Sequence, residues 1–411
     1  MRPLCILLLL LFSGCLGRNG AAADRAAKPE AEPDPPQASI ESPSPDYTAL
    51  RRRAANWALG LDDRRLAAQV IVSGIDGKGH LTADMRILLA ECPAGGIMLF
   101  KYNLDAENDA IRELIAEAAA VATAEALTGA IPPFIAVDHE GGSVNRFRRG
   151  VAALPPAGSY GEMARDGGWD SAIARVTSDS FIAGRAINGL GVTMNLAPVA
   201  EYLNDENRDF LDDRSYGHDP AFVAAAAAAF IAGMEQAGVF CVVKHFPGSA
   251  GADPHLYPSA LKGDKTTLAE LTAPTASLIR GNQARAVMVS HSAVPALDSE
   301  NIASLSPAVM GGWLRQELGF DGLIICDDFS MAAATGNLKP EMAAVRSLAA
   351  GADMVLVWPP DLRRTHRAIL AALGDGRLSR ERLREAAGRI IFEKIRMGLI
   401  DGDIEGDENG E

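Results

Sequence analysis

Phe134-Ile135-Ala136-Val137-Asp138-His139-Glu140-Gly141-Gly142 is the stretch that decides how this chain folds. Four apolar residues in succession, with no polar residue alternating, describe a strand covered on both faces, as in a parallel sheet. The run then meets charged residues and a Gly-Gly turn, so the strand ends at a polar rim. Working outward, seven further runs read the same way: Gln69–Ser73, Gly96–Phe100, Thr193–Leu196, Cys241–Lys244, Ala286–Ser290, Leu323–Cys326 and Met354–Trp358. Helix-length segments separate them, among them Ser171–Asn188 and the alanine-rich Ala221–Ala237, which has strong helix propensity. An amphipathic stretch, Leu383–Met397, follows the last run. The class is α/β, and eight β-then-α units over residues 47–400 predict a single (β/α)8 TIM-type barrel rather than a doubly wound sheet.

The segments flanking the barrel read differently. Met1-Arg2-Pro3, an apolar run from Leu4 to Phe12 and then Ser13-Gly14-Cys15 describe an export signal over residues 1–15, too short to span a bilayer. Its Phe-Ser-Gly-Cys ending resembles a bacterial lipoprotein signal, which implies lipid on Cys15. An exported protein tethered to a membrane of the cell envelope, at the periplasm or cell surface, is the expectation. Residues 16–46 are rich in Pro and Ala, including Pro29, Pro33, Pro35, Pro36, Pro43 and Pro45, and are expected to form a disordered linker. Residues 401–411 form a short acidic tail.

Composition narrows the chemistry. Lys plus Arg is 39 and Asp plus Glu is 53, a net charge of −14 with no dense basic stripe, which argues against nucleic acid as a partner. Cys5, Cys15, Cys92, Cys241 and Cys326 have no paired spacing, so neither a zinc site nor a disulfide framework is expected. No HExxH, dinucleotide fingerprint or Walker loop occurs. The reaction is therefore expected to run on side chains, without metal or cofactor, and nothing in the sequence points to a protein partner.

In a barrel, chemistry sits where strands give way to loops. That places Asp138-His139-Glu140 after the third strand, Lys244-His245 after the fifth, His291 after the sixth and Asp327-Asp328 after the seventh on one rim. Such a polar, concave mouth suits a polyhydroxylated ligand, since each hydroxyl needs an oriented donor or acceptor.

The residues around that rim also carry a family likeness. Asp138-His139-Glu140-Gly141-Gly142-Ser143-Val144-Asn145-Arg146-Phe147 resembles the Asp-Gln-Glu-Gly-Gly-Arg-Val-Gln-Arg-Phe signature of glycoside hydrolase family 3, and in particular its single-domain β-N-acetylglucosaminidases of the NagZ type. Four more motifs match in order: Asn195-Leu196-Ala197-Pro198-Val199, Asp213-Arg214-Ser215-Tyr216-Gly217, Lys244-His245-Phe246-Pro247-Gly248 and Asp327-Asp328-Phe329-Ser330-Met331. The resemblance implies that Asp327 is the nucleophile of a retaining mechanism, while capping chemistry gives Asp328 the expected role of capping a helix from Ser330 onward. It implies that His255, paired with Asp253 in the loop after the fifth strand, is the acid/base. It also implies Asp138, Arg146, Arg214, Lys244 and His245 as ligands of the terminal sugar.

Several positions depart from the pattern. Pro247-Gly248-Ser249-Ala250-Gly251 stands where the family reads Pro-Gly-His-Gly, and the loop to Asp253 is shorter. Ser143 replaces an arginine, His139 a glutamine, and Cys326 a Ser or Thr. Glu140 is expected to hold the Gly141-Gly142 turn. His291 reads equally as a pocket residue or as a satisfied strand-end histidine. The function implied is hydrolysis of terminal β-linked GlcNAc on cell-wall or other glycans. Alternatives within the family are a β-glucosidase or a β-glycoside phosphorylase, and outside catalysis a glycan-binding lipoprotein.

Overall fold

A computed structural model of the chain describes residues 47–124, 131–147, 149–251, 253, 256–331 and 338–400. Its core is a parallel barrel of eight staves: β1 (Ile71–Gly74), β2 (Gly96–Leu99), β3 (Phe134–Val137), β4 (Met194–Asn195), β5, β6 (Ala286–Val289), β7 (Leu323–Cys326) and β8 (Met354–Val357). Stave β5 comes in two stretches, Phe240–Cys241 and Val243–Phe246. The first pairs with β4 through Met194–Phe240 and Asn195–Cys241. The second pairs with β6 through Val243–Val287 and Phe246–Val289. The remaining neighbours follow in order, and β1 pairs with both β2 and β8, so the ring closes at the break in β5.

The expected runs fall on these staves, with edges moved for physical reasons. Gln69 ends the helix Asp63–Gln69, and the first strand starts at Ile71. Trp358 is the residue before the helix Pro359–Asp375 rather than the end of β8. The expected strand Cys241–Lys244 is interrupted at Val242 and runs on to Phe246, because its two halves must satisfy different neighbours.

Helices cover the outside. Asp219 accepts from the Ala221 N–H at 2.9 Å and, with Pro220 in the first turn, starts the helix Pro220–Gln236. Its packing on the helix Trp169–Asn188 is close enough to need glycine: a Cβ at Gly233 would lie 2.1 Å from Ser180 Oγ and 2.5 Å from the Thr177 carbonyl. The expected final helix is Arg380–Arg396, which buries Leu383, Ala386, Ala387, Ile390 and Ile391 on the i, i+3, i+4 face and packs on the helix Thr48–Gly60. Cys92, Cys241 and Cys326 are buried free thiols, though Cys92 follows the helix Ala83–Glu91 rather than sitting in a strand. No described helix is long and apolar enough to cross a membrane. The signal, Cys15, the linker and the acidic tail lie outside the described residues.

Candidate active site

The C-terminal ends of the staves enclose a pocket of about 170 Å³. That is below the ~300–1,000 Å³ of drug-sized ligand pockets. Asp138, Arg146, Arg214, Lys244, His245 and Asp327 all line it, so six of the eight residues expected to bind or react meet in one place.

One wall is an ion network rooted on β3 and β5. Lys244 Nζ contacts Asp138 Oδ1 at 2.6 Å and Glu140 Oε1 at 2.7 Å. Arg214 grips Glu140 with both arms of its fork, at 2.8 and 3.0 Å. Arg146 stands 3.6 Å from Asp138 Oδ2. Glu140 therefore does not use its carboxylate to hold the glycine turn. The turn is closed by backbone, with the Glu140 N–H on the Val144 carbonyl at 3.0 Å, and Gly141 and Gly142 supply φ of +100° and +51°. Burial opposes ionisation of Glu140, but Lys244 and Arg214 outweigh it and hold its carboxyl far below the usual carboxylate range. Burial pulls Lys244 down, but Asp138 and Glu140 outweigh it and raise its pKa, so the wall stays charged.

The floor is the end of β7. Asp327 Oδ1 accepts the Asp328 N–H at 2.9 Å, and among the described residues its Oδ2 has no hydrogen-bond partner. Burial alone would raise its pKa. Positive charge on His291 and His245 when protonated, the Asp328 N–H and Lys244 outweigh burial and bring it below the ordinary value. Asp328 behaves oppositely, its pKa raised chiefly by burial. It accepts from the Ser330 N–H at 2.8 Å and the Ser330 hydroxyl at 2.7 Å, and from the Trp358 indole, closing a turn at 329–331, while the stretch 332–337 where the expected helix would continue lies outside the described residues. Two adjacent carboxylates thus differ: one is spent on local bonds and one faces the pocket. Cys326 beneath them contacts the Ser347 hydroxyl at 2.7 Å, and burial pushes its thiol up to about 12, so it is inert.

The histidines divide in the same way. His291 is buried, with Nε2 donating to the Asp328 carbonyl at 3.0 Å and Nδ1 accepting from the Ser304 hydroxyl at 2.7 Å. Both readings of it hold at once, since it lines the pocket and both its nitrogens are occupied. His139 is fully buried edge-on to Phe147, and burial, then Arg146, lowers its pKa to about 4. Its backbone, not its ring, is the functional part: His139 exchanges both main-chain bonds with the Asn195 amide at 2.9 Å, locking β3 to β4. Ser143, in place of arginine, donates from N–H and hydroxyl to Asp213 at 3.0 and 2.6 Å, so the position still supports the loop.

Asp253 lies in the loop after β5, where its carbonyl accepts the N–H groups of Leu256 and Tyr257, both at 2.9 Å. His255 lies outside the described residues. Glu201 is the site residue that sequence reasoning missed: buried, it contacts His245 Nδ1 at 2.7 Å. Its signal was faint, an acidic residue two places beyond Val199, inside no quoted motif. Among the described residues, no group of three or more His, Cys, Asp and Glu is placed to hold a metal ion.

A parallel barrel whose strand ends gather carboxylates, basic groups and imidazoles around one pocket is a layout suited to a carbohydrate ligand. Comparison with known proteins agrees. The Glycosyl hydrolase family 3 N terminal domain matches residues 65–392. The beta-hexosaminidase of Idiomarina loihiensis is 36% identical over 293 residues, 68% of this chain and 80% of that protein. A family 3 beta-N-acetylglucosaminidase structure from Paenibacillus sp. superposes with a TM-score of 0.76 at 30% identity, covering 86% of this chain and 66% of that longer one. A beta-N-acetylhexosaminidase structure from Beutenbergia cavernae gives 0.70 at 27% identity, covering 82% and 99%. The chain belongs to glycosyl hydrolase family 3.

Proposed function

We propose that the protein is a retaining exo-β-N-acetylglucosaminidase that removes terminal β-linked GlcNAc from cell-wall or other glycans. The observation that carries this is the Asp327 carboxylate, held below its ordinary pKa and lining one pocket together with Asp138, Lys244, His245, Arg146 and Arg214. In the first step Asp327 attacks the anomeric carbon while the bond to the leaving oxygen breaks, and that oxygen takes a proton from the acid. In the second, water, losing its proton to the same group, releases the sugar from Asp327. His255 is that acid/base, with Asp253 orienting it, a role supported by the family motif in the loop after β5. Asp138, Lys244, Arg146, Arg214 and His245 bind the hydroxyls and acetamido group, preorganised by the pairs of Asp138 with Lys244 and Arg146, of Arg214 with Glu140 and of His245 with Glu201.

The relatives named as hexosaminidases and β-N-acetylglucosaminidases support the GlcNAc reading. Trapping with a 5-fluoro β-GlcNAc-type glycosyl fluoride, followed by peptide mass spectrometry, tests the mechanism, and label on Asp327 is the expected result. Turnover of the 4-nitrophenyl β-GlcNAc glycoside above the β-glucoside, unchanged by added phosphate, is expected. The reverse preference, or release of sugar 1-phosphate, replaces the reading with a glucosidase or a phosphorylase. Binding without label or turnover leaves a glycan-binding protein. The lipoprotein-like run to Cys15 supports an enzyme tethered to the envelope by lipid, with residues 16–46 as spacer. Radiolabelled palmitate incorporation, lost in Cys15→Ala, is the outcome expected of it.

A further inference from the structure

Glu201 gathers more polar contacts than any sugar-binding role for it would need. The loop after β4 is zipped to the inner half of β5: Val199 bridges Lys244 in parallel, Ala200 N–H donates to the Lys244 carbonyl at 2.6 Å, and Lys244 N–H to the Pro198 carbonyl at 3.0 Å. That pairing brings residue 201 beside residue 245. There one buried carboxylate accepts four hydrogen bonds. Oε1 takes the His245 N–H at 3.2 Å, His245 Nδ1–H at 2.7 Å and the Ser249 hydroxyl at 3.0 Å, while Oε2 takes the Ser249 N–H at 2.6 Å. Its own carbonyl accepts the Ser215 hydroxyl at 2.6 Å, next to Arg214. Among the described residues its one ion-pair partner is His245.

We infer that Glu201 is a positioning residue that fixes the His245 imidazole and the root of the acid-bearing loop with a single side chain. This rests on the reading of the site given above. Because the carboxylate takes the hydrogen on Nδ1, Nε2 is the nitrogen left to face the sugar. Through Ser249 the same oxygens hold the first residues of the loop that continues to Asp253. Gly248 is held from the other side, its carbonyl accepting the Ser290 and Ser292 hydroxyls, each at 3.0 Å. The loop root is therefore clamped between β4 and β6. All the incoming groups are donors, so glutamine at 201 would turn an NH2 against an N–H or O–H.

The test is the full chain carrying Glu201→Gln or, separately, Ser249→Ala, assayed on two β-GlcNAc glycosides. One has an activated aryl leaving group; the other has an alkyl leaving group that needs protonation. Glu201→Gln is expected to lower kcat/KM about 10–100-fold, the usual range for groups that orient a ligand from behind. The loss should be about tenfold greater on the alkyl glycoside. Ser249→Ala, which keeps the carboxylate, should show the leaving-group dependence with KM near wild type. Nitrogen-15 NMR of labelled histidine should lose the Nδ1–H signature of His245 in Glu201→Gln alone. Equal losses on both glycosides in both variants, or unchanged kinetics, overturn the inference, and Ser249→Ala decides should Glu201→Gln not fold. A wild-type enzyme that turns over β-glucosides instead would overturn the proposed substrate only, and the leaving-group comparison would then be run on that sugar.

Discussion

The barrel buries ionic clusters at both ends, and they are built differently. At the N-terminal end of β8, Asp353 is fully buried and accepts from Arg382 at 2.7 Å, Arg389 at 3.2 Å, Arg315 and the Ile324 N–H at 3.0 Å. Both of its oxygens are used twice. At the opposite end, the Lys244–Asp138–Glu140–Arg214 network opens onto the pocket, and Asp327 keeps an oxygen without a hydrogen-bond partner among the described residues. Both clusters outweigh a desolvation cost with opposite charge. Only one leaves bonding capacity for a guest. Saturated charge builds the barrel, and unsaturated charge works in it.

The contrast breaks most sharply at Asp327. Asp327→Asn keeps the shape and removes the proposed nucleophile, so kcat on an aryl β-GlcNAc glycoside should fall about 10⁴-fold or more, with melting temperature little changed. Asp353→Ala should do the reverse: it strands three arginines and should cost about 3–5 kcal/mol in denaturant unfolding, while kcat per folded molecule holds. Glu140→Gln sits between the two cases, because it belongs to both wall and pocket. It should lower kcat/KM about 10–100-fold, through a raised KM, together with a measurable loss in melting temperature.

The smallest expected effect is a position on the pH axis. Asp327 is held below 3.8, its ordinary value, and in the proposed mechanism it acts ionised. Activity should therefore persist as pH falls through the usual carboxylate range, and the acid limb attributable to this group should lie below it. Glu140 and Asp353 are likewise depressed. The stability they contribute is present above their ordinary values and lost as pH falls through the lowered ones. Acid unfolding in wild type, compared with Asp353→Ala, should show that loss shrinking in the variant.

Much of this was legible before any coordinates. Phe134–Val137 and Leu323–Cys326 fall on strands with the edges expected, because an apolar run bounded by charge is a local signal. That Asp328 would bond the residues after it followed from elementary capping chemistry, and the motif put Asp327 at the end of the seventh strand. The break in β5 was not legible, since Val242 and Val243 look alike and only their neighbours differ. Glu140 was misread because its partners are distant in sequence: Arg214 lies 74 residues away. The Asp353 cluster escaped notice for the same reason, its arginines coming from two separate stretches of chain, Arg315 from one and Arg382 and Arg389 from the final helix. Local pattern reveals elements, whereas charge pairing across the fold does not announce itself in a linear string.

The interrupted fifth stave has a design consequence. Because Phe240–Cys241 leans on one neighbour and Val243–Phe246 on the other, the outer half can be mutated to tune packing while the inner half is mutated to tune recognition. A single unbroken stave would yoke those two tasks together.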